Sequence, residues 1–202
     1  MKISVRIFAL VVFVLFTTHT KAQTKFGIRG GLNFSTFSIA QDGATVTPDS
    51  KTSFNLGIIS EIPLSTDLYL QPGILFSGKG SKTSSISTLS TNNIEIPINA
   101  LYKLKTAGSI KVLGFAGPYI GYAVNGKSKL QGITSDITFS GNDKAMNAFD
   151  CGLNFGVGVE IKSFQITAQY GLGLTNLAPN SSNGTVKNKV FGVSLSYLFI
   201  NK

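Results

Sequence analysis

Alternation of apolar and polar residues is the strongest pattern in this chain. It is clearest in residues 149–174, where every second residue is apolar from Phe149 to Ile161 and again from Phe164 to Leu174. A side-chain period of two is typical of a β-strand with two different faces. Only Lys162 and Ser163 separate the two runs, which predicts a tight hairpin. Each run has about a dozen residues, enough to cross a bilayer at a tilt.

Six further segments of the same kind predict six more strands. They are residues 25–36, 52–62, 68–78, 92–104, 109–124 and 187–200. In 109–124 apolar residues occupy both sets of alternate positions, so its two faces stay unassigned. The connections alternate between long and short, and the long ones are 37–51, 79–91, 125–147 and 176–186. This arrangement predicts an all-β, eight-stranded antiparallel up-and-down transmembrane β-barrel, with periplasmic termini and four long outer loops.

Residues 1–22 have the features of a secretory signal peptide. Lys2 and Arg6 supply its basic start, an apolar stretch runs from Val5 to Phe16, and Ala22 is a small residue at the cleavage point. The stretch is shorter than the 18 or more residues that a membrane-spanning helix needs. We therefore predict a signal peptide over 1–22 and an outer-membrane β-barrel domain over 23–202.

Composition agrees with a membrane location. The chain is 43% hydrophobic and only 13% charged, whereas soluble domains carry roughly 25% charged residues. The net charge of +9 includes Lys2, Arg6 and Lys21 of the signal segment. The remaining positive charge is spread along the chain, so the sequence predicts no nucleic-acid partner.

Few residues are available for catalysis. The single histidine, His19, lies in the signal segment, which excludes a Ser-His-acid mechanism in the mature chain. The single cysteine, Cys151, lies on an apolar face and cannot build a thiolate metal site alone. We therefore expect no enzyme activity, no cofactor and no metal.

The polar faces nevertheless carry charged residues. These are Arg29, Glu61, Glu95, Lys103, Asp150 and Glu160. Strand direction places Glu95 and Asp150 in the outer half of the barrel and the other four in the periplasmic half. Because a barrel of eight strands is just wide enough for side chains to fill, we predict a paired, hydrogen-bonded charge network, with Arg29 bonded to Glu61. A carboxylate pair performing acid-base chemistry is the alternative.

Two sets of residues suggest contact with the membrane. Aromatic residues near the strand ends, suited to interfacial belts, are Phe26, Tyr102, Phe164, Tyr197 and Phe199. Lysines in the second and third long loops, which could contact lipopolysaccharide phosphates, are Lys79, Lys82, Lys127, Lys129 and Lys144. A merely solvated loop would also explain these lysines.

Several segments resemble a known family. FGIRGGLN, IEIP, FAGPYIGY and GLNFGVGVE are similar to the PorT-like outer-membrane β-barrel domain of Gram-negative envelopes, over about residues 25–199. The resemblance implies a barrel in the outer membrane, and one branch of the family is linked to a protein-secretion apparatus, so other envelope proteins are possible partners. It implies no catalytic residues, and we expect a monomeric barrel. Such barrels usually end on an aromatic residue, whereas Ile200, Asn201 and Lys202 follow Phe199 here.

The sequence favours a small outer-membrane barrel with a side-chain-filled lumen that acts structurally or binds through its long extracellular loops. Three other functions stay open. In a secreted, soluble, lipocalin-like barrel the apolar faces would point inward around an apolar ligand. A narrow channel would keep a path for ions through the lumen. A lipid-modifying enzyme is disfavoured by the missing histidine.

Overall fold

A computed structural model describes residues 24–41, 43–84, 87–106, 108–141, 144–179 and 184–199. The strands are β1 (Lys25–Gln41), β2 (Ala44–Val46), β3 (Asp49–Pro63), β4 (Leu68–Ser84), β5 (Ser87–Lys105), β6 (Ile110–Leu130), β7 (Ile133–Asp136), β8 (Phe149–Ile161), β9 (Phe164–Gly173) and β10 (Thr185–Leu198). The predicted signal peptide over 1–22 lies outside these ranges. Within them, no helix is long and apolar enough to span a membrane.

The long strands form a closed antiparallel ring. Leaving aside the short β2 and β7, each strand pairs with the next one along the chain. The ring closes between β1 and β10, which are paired from Gly27 opposite Leu198 to Ala40 opposite Thr185. The chain therefore folds as an up-and-down barrel. Its two ends are named here the terminus end, which carries the short turns, and the loop end.

The strands extend further at the loop end than the sequence pattern predicted. Most of the predicted loop 79–91 is the paired hairpin of β4 and β5, which continues to Ser84 opposite Ser87. In the predicted loop 125–147, β6 continues to Leu130 and pairs with β7. Alternation fails there because both faces of the extension are polar, while the backbone hydrogen bonds that define a strand continue regardless of side-chain polarity.

The apolar faces point outward and the polar faces point inward. Phe26, Ile58 and Val157 are 58%, 60% and 63% exposed. Arg29 and Glu61, on the other faces, are buried. This polarity contradicts the lipocalin-like alternative, which requires the apolar faces to surround the lumen.

Strand β6 has apolar residues on both faces because large side chains fill the lumen beside small ones on β8. Leu113, Phe115 and Tyr119 are buried in the lumen. Their cross-strand partners on β8 are Gly158, Gly156 and Gly152. A Cβ added at Gly156 would lie 2.6 Å from the Phe115 ring and 2.4 Å from the carbonyl oxygen of Ala168. Glycine is therefore required where the ring lies over the neighbouring strand.

An apolar cluster covers the lumen at the loop end. Phe37, Met146 and Leu177 are buried together. The partly buried side chains around them are Ile39, Leu89, Ile137, Phe139 and Val186. We call these eight residues the loop cap. The sequence pattern missed it because its members are scattered over all four predicted long loops.

Candidate functional site

The lumen contains two clusters of charged side chains, and the first lies toward the terminus end. Lys103 Nζ lies 2.6 Å from Glu61 Oε1 and also contacts the Glu160 carboxylate. Lys111, from the strand whose faces were unassigned, pairs with Glu160 at 2.8 Å. The side chains of Lys103, Glu61 and Glu160 are at most 2% exposed. Two lysines thus neutralise two glutamates in this inner cluster.

Amide side chains connect the inner cluster to Arg29. Gln165 Nε2 donates to Glu61 Oε2 and to Glu160 Oε2, both at 2.9 Å. Gln71 donates to Gln165 at 3.1 Å and accepts from Arg29 Nη2 at 2.7 Å. A buried carboxylate needs such donors for the lone pairs that its cation does not reach.

The predicted pairing of Arg29 with Glu61 is wrong. Arg29 donates instead to Ser196 and Gln71, which are both neutral. Strand register explains the difference. Arg29 lies opposite Gly57, whereas Glu61 lies opposite Lys25, four residues nearer the terminus end, which is about 13 Å along a strand.

The second cluster lies toward the loop end. Lys79 Nζ lies 2.5 Å from Glu95 Oε1 and 3.1 Å from Asp150 Oδ2. Asp150 Oδ2 also accepts from Tyr119 at 3.0 Å and from Asn188 at 2.7 Å. Lys79 is 3% exposed. It is therefore part of this outer cluster, and its prediction as a loop contact for lipopolysaccharide is wrong.

The two clusters share a design. In each cluster, a buried lysine lies between two carboxylates and over an aromatic ring. Lys103 Nζ lies 4.5 Å from the centroid of the Tyr69 ring, and Lys79 Nζ lies 4.7 Å from the centroid of the Tyr119 ring. Ring faces attract cations, and this attraction strengthens where water is excluded. Alternation locates Tyr69 on an inward position but not Lys111, because the faces of residues 109–124 stay unassigned, and only the closed barrel shows which ring meets which lysine.

A polar layer separates the clusters. Asn33 donates to Ser77 at 3.0 Å and accepts from Asn55 at 2.8 Å. A cavity of about 20 Å³ beside this layer is also lined by Arg29 and Glu95, and it has room for a water molecule. A second cavity of about 10 Å³ lies between the outer cluster and the loop cap.

The carboxylates of the described lumen are paired. Each of the four lumen carboxylates forms an ion pair with a lysine. In the part of the chain that the structure describes, no group of three or more His, Cys, Asp or Glu side chains could hold a metal ion. The arrangement can hold the barrel together and close its interior.

Aromatic side chains surround the outside of the barrel near both ends. At the terminus end, the Tyr197 ring lies 5.0 Å from that of Phe164 and 5.5 Å from that of Phe199. Phe26 and Tyr102 are exposed at the same end. Ring pairs nearer the loop end are Phe34 with Phe191, Phe54 with Phe76 and Phe155 with Tyr170. Two aromatic belts of this kind suit the two interfaces of a bilayer.

The remaining loop lysines lie outside the lumen. Lys82 is exposed on β4, and Lys127 and Lys129 are exposed on β6. Lys144, in the third predicted long loop, is half-buried. Lys187 and Lys189, which the sequence reasoning did not include, lie on β10 at the loop end.

The chain matches a protein family and is similar in fold to several solved structures. The profile of a family described as outer membrane protein β-barrel domain matches residues 21–178. Among solved structures, Neisserial surface protein A has a TM-score of 0.54 and 13% identity, covering 88% of this chain and 100% of that one. Ail, the attachment invasion locus protein of Yersinia pestis, has a TM-score of 0.48 and 15% identity over 88% and 100%. OprG from Pseudomonas aeruginosa has a TM-score of 0.48 and 13% identity over 88% and 96%. No curated protein sequence matches the chain.

Proposed function

Because the chain belongs to the outer membrane protein β-barrel domain family, we propose that it is an eight-stranded transmembrane barrel with a side-chain-filled lumen and a structural or binding role at its loop end. The main support for this proposal is that the ring has apolar side chains on its outside and polar side chains in its interior, the reverse of a soluble protein. Exposed side chains such as Phe26 and Ile58 face outward, while Arg29, Lys103 and Glu160 are buried inside. Only a hydrocarbon surrounding makes that outer surface favourable.

The filling of the lumen supports a structural role over a channel. Leu101, Leu113 and Phe115 pack together inside the ring, and the loop cap covers the loop end. The two charged clusters occupy further space that ions would need. A barrel of eight strands has an interior that side chains can fill completely.

Topology follows from the connections. The short turns, the start of β1 and the end of β10 are at one end, and we place this end in the periplasm, as in outer-membrane barrels with short periplasmic turns. The loop end then faces outward. We propose that the loop end contacts lipopolysaccharide. We also propose that the protein is a monomer without enzyme activity or a cofactor. Membership in the PorT-like branch, and with it a place in an envelope or secretion complex, rests on the segments FGIRGGLN, IEIP, FAGPYIGY and GLNFGVGVE.

The first test is electrophoresis of membrane-extracted protein with and without boiling. We expect the unboiled protein to migrate differently from the boiled protein, because a closed ring of strands resists detergent until it is heated. The same preparation should fractionate with the outer membrane. A protein that shows no mobility shift and is recovered from the periplasm or medium would contradict the proposal.

A second measurement separates the filled barrel from the narrow channel. Purified protein is reconstituted into a planar bilayer in concentrated salt, and current is recorded under voltage. The filled lumen predicts no stepwise conductance. Reproducible steps that scale with protein concentration would show that an ion path remains and would overturn the filled-lumen proposal, while leaving the outer-membrane barrel intact.

A further inference from the structure

Three exposed lysines lie on one outward sheet face at the loop end. Ser81 is buried in the lumen, so the next residue, Lys82, points outward. Gly126 is buried against Ile137 and Phe139 of the loop cap, so Lys127 and Lys129 occupy the opposite, outward face of β6. We call Lys82, Lys127 and Lys129 the lysine patch.

Strand register fixes the spacing of the lysine patch. Lys82 lies opposite Thr88, and Thr88 lies opposite Lys129. Neighbouring strands are about 4.8 Å apart, so the Cα atoms of Lys82 and Lys129 are roughly 10 Å apart. Lys127 follows two residues along β6, about 7 Å from Lys129. Side chains of this length can bring three ammonium groups to one phosphorylated headgroup.

The lysine patch also contains hydroxyl donors and unpaired charges. Thr88 and Ser90 share the outward face, with Ser90 opposite Lys127. Asp49 lies across from Lys82, and Asp136 across from Lys127. Among the described residues, however, neither aspartate forms an ion pair with its lysine, since the ion pairs lie in the lumen and between Lys105 and Asp67. All three ammonium groups are therefore available to a ligand.

The height of the lysine patch matches the surface of a membrane. Ile94 on β5 and Val124 on β6 are the last apolar outward residues before the loop end, at 39% and 52% exposure. The next outward pair is Asn92 with Asn125, joined by a side-chain hydrogen bond of 2.8 Å. Lys127 lies two residues beyond this amide pair, and Lys129 and Lys82 lie four residues beyond it, about 13 Å along a strand. Their ammonium groups thus lie beyond the end of the hydrocarbon, on the side of the lipid headgroups.

We propose that the lysine patch is a binding site for the phosphate groups of lipopolysaccharide in the outer leaflet. The inference rests on the proposed outer-membrane barrel and identifies a lipid partner for its loop end. Phosphates are multiply charged acceptors, and the patch presents three ammonium groups and two hydroxyls on a rigid sheet, so its three positive charges exceed the two negative charges of Asp49 and Asp136. Because the strands extend beyond the membrane, the spacing of the lysines is set before the lipid binds, which lowers the conformational entropy lost on binding. Solvated lysines on a flexible loop would lack that advantage.

The test uses the detergent-solubilised full barrel and a fluorescent rough-type lipopolysaccharide that retains its lipid A phosphates. Binding is measured by fluorescence anisotropy for the wild type and for the variant Lys82→Gln/Lys127→Gln/Lys129→Gln. A lysine near an anionic surface strengthens binding about fivefold, so loss of three should weaken it roughly 100-fold. Added salt should weaken wild-type binding more than variant binding, because fewer charges are screened in the variant.

The matched control removes three lysines from the terminus end, as Lys25→Gln/Lys105→Gln/Lys162→Gln. It changes net charge equally and should bind within about twofold of the wild type, since a general charge effect falls off within a Debye length. Lipopolysaccharide stripped of phosphate should bind wild type and patch variant alike. Equal binding of the phosphorylated lipid by wild type and patch variant, or an equal loss in the control, would overturn the site.

The heat-dependent mobility shift separates the two proposals. A patch variant that keeps the shift but loses lipid binding supports the site on a folded barrel. A patch variant that keeps both the shift and the binding refutes the site and leaves the barrel intact. Absence of the shift in the wild type refutes the barrel, and the site with it.

Discussion

Replacing Lys103 with methionine tests the inner cluster directly. Lys103 is the cation shared by Glu61 and Glu160, whose side chains are each 1% exposed. In the variant, Glu160 keeps Lys111 at 2.8 Å. Glu61 keeps only the Gln165 amide, at 2.9 Å. The inner cluster thus changes from neutral to one net negative charge while remaining buried.

The expected loss is large because the remaining carboxylate cannot reach water. Removing one partner of a buried ion pair costs about 3 to 5 kcal/mol, since the other charge stays buried without compensation. Methionine replaces most of the apolar stem of the lysine, so lost packing adds little. The Lys103→Met/Glu61→Gln variant removes the stranded charge as well, and we expect it to regain at least half of the stability lost.

The assay is reversible urea unfolding in detergent micelles, with the folded fraction read from the unboiled band on a gel and extrapolated linearly to zero urea. Lys105→Met is the control. Lys105 is 66% exposed and lies 4.0 Å from Asp67, so its loss should change stability by less than about 0.5 kcal/mol. A loss below about 1 kcal/mol for Lys103→Met, or a double variant as unstable as the single one, would refute the account of the lumen network.

Three further outcomes follow from the same geometry. Gly156→Ala places a Cβ within 2.4 Å of a backbone oxygen and should lose about 1 to 3 kcal/mol of stability in the urea assay. Gly114→Ala, where the structure shows open space, should stay within about 0.5 kcal/mol of the wild type, and equal losses would contradict the packing described. Arg29→Met removes two hydrogen bonds to neutral partners without stranding a carboxylate, so it should cost less than Lys103→Met in that assay; a larger loss would point to an acidic partner. Leu177→Asp places a charge in the loop cap and should speed backbone hydrogen exchange at the loop end while the barrel keeps its mobility shift; unchanged exchange would show that the cap is not a packed unit.

Local patterns predicted which side chains line the lumen. In residues 149–161 the apolar set faces outward, and Asp150 and Glu160 are buried as the alternation requires. The same reasoning put Glu95 and Asp150 in one half of the barrel and Glu61, Lys103 and Glu160 in the other. It also predicted the antiparallel up-and-down order. The structure confirms this order, since each long strand pairs with the next long strand along the chain.

The limits of the pattern appear where two strands must be compared. Alternation along one strand does not reveal its register with the next strand. For that reason the pattern wrongly pairs Arg29 with Glu61 across the first hairpin. The register instead places Glu61 four residues nearer the terminus end than Arg29. The pattern also predicts Lys79 in a loop, because nothing local shows that β4 continues to Ser81 with a buried inward face.

The two-faced character of each strand can be predicted from the sequence alone, since the period of two is a property of consecutive residues. Which charges meet depends on the closed barrel. Lys103 is 42 residues from Glu61 and 57 from Glu160, and their contact depends on the stagger that lets the ring close between β1 and β10. The loop cap also depends on closure, because Phe37 of β1 and the loop residues Met146 and Leu177 become neighbours only when the strands that these loops join are already side by side.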